Sequence, residues 1–201
     1  MDLRSGWAAA WQDLGAAPDL DLFETLLAAY REPHRHYHTV QHLEECFIQF
    51  DASRSNAQRP AEVALALWFH DAIYDPRRSD NEARSAQWAF AALKPVASDA
   101  AERVRWLVMA TEHEAVPEGM DARLLVDVDL SILGAPEERF DEYEAQVRQE
   151  YAWVPAPHYR RERRKLLRAF LARPAIFSTA GFVARYETRA RRNLERALAR
   201  L

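Results

Sequence analysis

Residues 60–71 read Pro60-Ala61-Glu62-Val63-Ala64-Leu65-Ala66-Leu67-Trp68-Phe69-His70-Asp71. Proline suits the first position of a helix, where no N–H is needed. Val63, Leu65, Leu67, Trp68 and Phe69 then make the segment nearly apolar all round. A helix of that kind lies in a core. It ends, however, in an imidazole and a carboxylate. Burying an unpaired carboxylate is costly, so Asp71 needs a cation or strong donors. A metal ion satisfies His70 and Asp71 together, and a salt bridge to an arginine is the competing explanation. The dipeptide alone says little. With 7 His and 13 Asp in 201 residues, chance supplies about 0.45 such pairs.

The surrounding sequence continues as helices separated by short Pro and Gly breaks. Asp19 to Tyr30 carries Leu22, Phe23, Leu26 and Leu27 at helical spacing, and Pro33 ends it. His38 to Phe50 has Val40, Leu43, Phe47 and Phe50 on one side. Ser79-Asp80-Asn81-Glu82 reads as a capping box that opens a helix towards Leu93, which Pro95 closes. Ser98 is expected to cap a helix towards Thr111. Asp121 starts a segment through Leu124, Val128, Leu130 and Leu133 that Gly134 halts. Three more helices are expected over about 136–152, 158–172 and 179–200. No strand-like alternation is found. The expected fold is all-α, a single domain over 1–201 with eight to ten helices.

Composition narrows the class. Apolar residues are 49% and charged residues 29%, as in ordinary globular proteins. No apolar run spans a bilayer, the start lacks a signal-peptide pattern, and Cys46 has no second cysteine to pair with. A cytoplasmic protein with no membrane partner is the expectation. The net charge of -4 hides an asymmetry. Residues 157–201 hold 13 Lys and Arg against 3 Asp and Glu, a net +10, and the rest sums to -14. The basic helices are either a solvated face packed on the body or a surface for phosphates or nucleic acid.

Four of the seven histidines, His34, His36, His38 and His42, fall within nine residues. His38 and His42 are spaced i, i+4, which on a helix places them on one face suited to a divalent metal. Asp127 and Asp129 interrupt the apolar segment from Leu124. They point about 200° apart on a helix, so only one of them faces a shared site. Cys46, on an apolar stripe, reads as packing. No Gly-x-Ser-x-Gly elbow, Walker-type glycine loop or His-Glu-x-x-His is present.

The order His42, His70-Asp71, Asp129 in a helical chain resembles the HD superfamily of metal-dependent phosphohydrolases. The local text is closer still. Arg35-His36-Tyr37-His38-Thr39-Val40-Gln41-His42-Leu43, Trp68-Phe69-His70-Asp71-Ala72-Ile73-Tyr74-Asp75-Pro76 and Asp127-Val128-Asp129-Leu130-Ser131-Ile132-Leu133-Gly134 are similar to one bacterial branch. So are Asp80-Asn81-Glu82, Ala110-Thr111-x-His113 and Val147-Arg148-x-Glu150-Tyr151. That branch is labelled predicted metal-dependent HD-superfamily phosphohydrolase, and the resemblance covers roughly 20 to 196.

The resemblance implies metal ligands at His42, His70, Asp71 and Asp129, with Asp127 the alternative aspartate. It implies a second-metal or phosphate role for His38 and His113. Two imidazoles and two carboxylates suit Mn, Fe, Co, Ni or Zn, and Mg less well. Asp75 and Glu82 are candidates to orient a water. Arg148, Arg164 and Arg77 are candidates to hold phosphate. Tyr37, Tyr74 and Tyr151 either line the pocket or fill the core. The implied partner is a small phosphorylated substrate. The other reading, motivated by the +10 segment, is a nucleic-acid-binding or regulatory helical module with a structural or vestigial metal site.

Overall fold

The computed structural model describes residues 2–113 and 117–201. Those residues are all-α, with ten α-helices and no strand. The helices are α1 (Leu3–Asp13), α2 (Leu20–Ala29), α3 (Val40–Ser53), α4 (Pro60–Phe69), α5 (Asn81–Leu93), α6 (Ser98–Met109), α7 (Met120–Asp129), α8 (Glu137–Glu150), α9 (Ala156–Ala172) and α10 (Ala180–Arg200). No helix among the described residues is long and apolar enough to cross a membrane. The chain divides into two compact units, Met1–Val128 and Asp129–Leu201. The division falls inside the last turn of α7, so Asp129 is carried by a helix whose other residues belong to the first unit.

In the first unit α4 is the core helix. Every residue from Ala61 to Phe69 is buried. Trp68 is the hub of an aromatic cluster. Its ring centroid lies 5.4 Å from Trp7, 5.4 Å from Phe23 and 5.2 Å from Phe47. Each such pair adds about 0.5–1.5 kcal/mol beyond its buried area. The one charge on α4, Glu62, is held by both forks of Arg103 at 2.7 Å. Helices α1 and α2 open on aspartate caps, with Asp2 accepting from the Ser5 N–H and Asp19 from the Leu22 N–H.

Several local expectations change. The stretch 1–18 holds a helix, α1, where the sequence reading placed none. His38 lies before α3, in the turn ahead of Thr39, so it and His42 do not share a helical face. The capping box at Ser79 does not form. The helix opens at Asn81, and Asp80 makes no capping bond because Arg78 takes its carboxylate at 2.6 Å through two donors. Ser98 is the first helical residue rather than a cap. The segment from Leu124 is not one helix: α7 stops at Asp129, and Leu130–Gly134 is a 3-10 turn.

The second unit packs α8, α9 and α10 with that 3-10 turn. Gly134 is required there. A Cβ at this position would lie 2.7 Å from the Tyr186 Cβ, so α10 approaches the turn only because the side chain is missing. Asn193 of α10 donates to the Leu133 and Ala135 carbonyls on either side. Glu187 accepts from the Ile176 and Phe177 N–H groups, which ties the link before α10 to the helix itself. Arg163 of α9, almost wholly buried, donates to Tyr143 and Glu144 of α8.

Candidate metal centre

Helix α3 and the two residues that follow α4 build the triangle at the centre. Helix α3 carries His42, buried on its inner face. Helix α4 hands over to His70 at its C-cap, and Asp71 follows in the turn. The His70 Nδ1 lies 2.7 Å from the Leu67 carbonyl. A carbonyl only accepts, so Nδ1 carries a hydrogen, and Nε2 is the ring atom turned towards the cluster. An outer hydrogen bond of this kind is how metal-binding imidazoles are oriented.

The three donor atoms form a small triangle. His42 Nε2 is 3.1 Å from His70 Nε2, His70 Nε2 is 3.1 Å from Asp71 Oδ2, and His42 Nε2 is 3.5 Å from Asp71 Oδ2. A point at equal distance from these corners lies about 1.9 Å from each in their plane. Raised slightly above the plane it reaches about 2.1 Å, the bond length of a first-row metal to nitrogen or oxygen. The donor set therefore fits a divalent ion. One ligand atom each from His42, Cys46, His70 and Asp129 also lie within 4.8 Å of one another. This group can hold a metal ion.

The electrostatics favour the charged form of the acid. Burial pushes the Asp71 carboxyl up. The imidazoles of His70, His38 and His42 outweigh that and hold it well below the usual carboxylate range. Tyr30, beneath it, goes the other way. Burial and the Asp71 charge raise its hydroxyl well above the usual value, against the opposing pull of Arg35 and His42. The Tyr30 hydroxyl donates to the Trp68 carbonyl and accepts from the Asp71 N–H.

The other expected residues fall as follows. The His38 ring stacks on Tyr74 at 4.0 Å and lies 6.0 Å from His42, so it borders the centre without sharing its helix. Tyr37 is buried with its ring 4.6 Å from His42. Glu82 is half-buried on α5, and burial raises its carboxyl. The Asp71 and Glu112 carboxylates add to the rise and His113 opposes it. His113 ends a 3-10 turn in the left-handed region, φ 57°. Asp75 is engaged in its own turn, accepting from the Arg77 N–H at 2.9 Å. Asp127 is fully buried but is not one of the grouped donors, whereas Asp129 is. Arg148 lies in the second unit, where it donates to the Tyr151 and Val154 carbonyls and lies over Tyr159. Tyr151 is there too, its ring 6.2 Å from Tyr159. Arg77 follows Asp75, and Arg164 is half-buried on α9.

Two residues of the centre escaped the sequence reading. Cys46 is buried as expected, but its Sγ also lies 3.7 Å from both ring nitrogens of His42. The signal was its i, i+4 spacing from His42. Arg35 has a fully buried side chain. It donates to the His38, Asp71 and Ala72 carbonyls at 3.2, 2.6 and 3.0 Å, and to Glu32 at 3.0 Å. Its guanidinium lies between Tyr30 and Tyr74, 5.3 and 5.6 Å from their centroids. One side chain thus fixes the histidine loop to the His70-Asp71 turn.

Comparison of the chain with protein-family models, with curated proteins and with solved structures gives no match.

Proposed function

We propose that the chain is a metal-dependent phosphohydrolase of the HD type, cleaving a phosphomonoester or phosphodiester, with a nucleotide among the candidate substrates. The observation that carries this reading is the triangle of His42 Nε2, His70 Nε2 and Asp71 Oδ2, with edges of 3.1, 3.1 and 3.5 Å. Its corners are the residues that the resemblance to the HD superfamily nominates.

His42, His70, Asp71 and Asp129 would hold the ion, with the Cys46 thiol beside them. A bound divalent metal supplies Lewis acidity towards phosphorus and lowers the pKa of water. The chain's own residues do the rest. The Leu67 carbonyl keeps the proton on His70 Nδ1. Asp71 stays ionised and brings one negative charge to offset the cation. Glu82, its carboxyl raised by burial and by the Asp71 charge, would hold a proton for the leaving oxygen. His113 is the candidate contact for a phosphoryl oxygen.

The test is a panel of phosphomonoesters, phosphodiesters and nucleotides against Mn, Fe, Co, Ni, Zn and Mg, together with metal analysis of the protein. The expected result is phosphate release that a chelator abolishes and that Asp71→Ala reduces by at least about a hundredfold, on the scale of lost metal-site groups. A wild-type protein that takes up no divalent metal would overturn the reading. So would metal uptake left unchanged by His70→Ala.

A further inference from the structure

The second unit contains the basic segment, which the metal centre does not use. Its cations sort into two groups. Arg163 is taken up by Tyr143 and Glu144, Arg191 by Glu187, Arg196 and Arg200 by Asp141, Arg161 and Lys165 by Glu162, Arg173 by the Phe170 ring, Arg185 by the Tyr186 ring, and Arg189 by the Gly134 carbonyl and the Tyr186 ring. The side chains of Arg160, Arg164, Arg168 and Arg192 make no hydrogen bond, ion pair or ring contact among the described residues. Three of these four stand at i, i+4 and i+8 of α9.

That placement has a direction and a spacing. Tyr159, Arg163, Leu167 and Phe170 form the buried stripe of α9. The three arginines form the neighbouring stripe, with Arg160 and Arg168 exposed and Arg164 half-buried. Adjacent members are about 6 Å apart along the axis. Like charges at this spacing weaken an isolated helix slightly, and nothing inside the unit offsets that. The two anions that line a cleft with Arg160 are already engaged. It shares a cleft with Asp141, held by Arg196 and Arg200, and with Glu144, held by Arg163.

We propose that the Arg160, Arg164 and Arg168 face of α9 binds the phosphate backbone of a single-stranded nucleic acid. Guanidinium forks match phosphate oxygens in pairs. A row of three unpaired forks suits an anion whose charges repeat along a chain. A single strand lets its phosphates follow one helix face, and Trp153, half exposed in the turn before α9, is an aromatic side chain of the same unit. A lipid surface fits less well, because the large apolar residues of α9 point inward and only Leu166 is exposed.

The experiment measures binding of a fluorescently labelled single-stranded RNA to the full chain in EDTA, so that the metal centre plays no part. The salt concentration runs from about 50 to about 200 mM. Three neutralised phosphates give a slope of log K against log salt of about -2. The triple variant R160Q/R164Q/R168Q is expected to weaken binding at least tenfold. The control R161Q/K165Q, whose cations already face Glu162, is expected to change it less than twofold. Circular dichroism checks the fold of each. If the triple variant does not fold, Arg164→Gln alone, expected to weaken binding about threefold, decides. Three outcomes overturn the proposal: no binding by the folded wild type at 50 mM salt; equal losses in the triple and control variants; or binding only to phosphatidylcholine vesicles containing phosphatidylserine and not to RNA.

Discussion

In the first unit the buried side chains of the centre crowd their nitrogen and oxygen atoms together around Asp71, whereas in the second a buried guanidinium faces a hydroxyl and a carboxylate. His42 Nε2, His70 Nε2 and Asp71 Oδ2 lie within 3.5 Å of one another, and the one hydrogen fixed on His70 is turned away to Leu67. Arg163, by contrast, brings donors to the Tyr143 hydroxyl and the Glu144 carboxylate. The first arrangement is rich in acceptors and gains from a cation. The second sets one cation against an anion and a hydroxyl. Burial of charge is therefore a poor guide to a site. The ratio of donors to acceptors within the cluster separates the two cases.

The largest test of that contrast is Arg163→Met. It takes the buried cation away from the Glu144 carboxylate, and breaking a buried pair costs about 3–5 kcal/mol. The urea midpoint should fall accordingly, and a loss under about 1 kcal/mol would break the comparison. Next comes alkali. Burial pushes the Tyr159 hydroxyl up to about 12, although Arg163 and Arg148 oppose it. A raised folded-state pKa means that the protonated form is favoured in the native chain. The stability it contributes is complete below the unfolded value near 10 and is lost as pH rises through about 12. That loss amounts to roughly 2–3 kcal/mol. Denaturation midpoints across pH 9–12 read it, and a flat profile contradicts it. The smallest effect sharpens the other half of the contrast. Arg35→Lys keeps the charge but loses the fork that binds three carbonyls. Metal affinity should fall about 10–100-fold, as for other groups that orient ligands. Isothermal titration with Co or Zn measures this, and unchanged affinity would show that the loop needs no clamp.

The sequence made α4 legible because one segment combined a proline start, apolar residues all round and two polar groups at its end. The pairing of His70 with Asp71 followed from the cost of burying a carboxylate. Other parts were illegible for identifiable reasons. His38 and His42 look helical by spacing, but α3 starts only at Val40, after extended backbone at Thr39, and leaves His38 outside it. Ser79 and Glu82 match a capping box, yet Arg78 competes for the Asp80 carboxylate. Arg35 acts on backbone carbonyls up to 37 residues away, and carbonyls leave no mark in a sequence. In α1, Leu3, Trp7, Ala10 and Trp11 form a helical stripe that a reading begun at Asp19 passes over.

The Arg35 clamp also bears on the order in which the chain folds. His42 and His70 are 28 residues apart, Arg35 and the Asp71 carbonyl 36, and Tyr30 and Trp68 38. Contacts of short loop length close early, because little chain entropy is lost in closing them. The triangle of donors and its clamp belong to one stretch of about forty-five residues from Tyr30 to Tyr74. On a growing chain that stretch is finished while Asp129 has yet to be added, so the His42, His70 and Asp71 triangle can be in place before Asp129 exists.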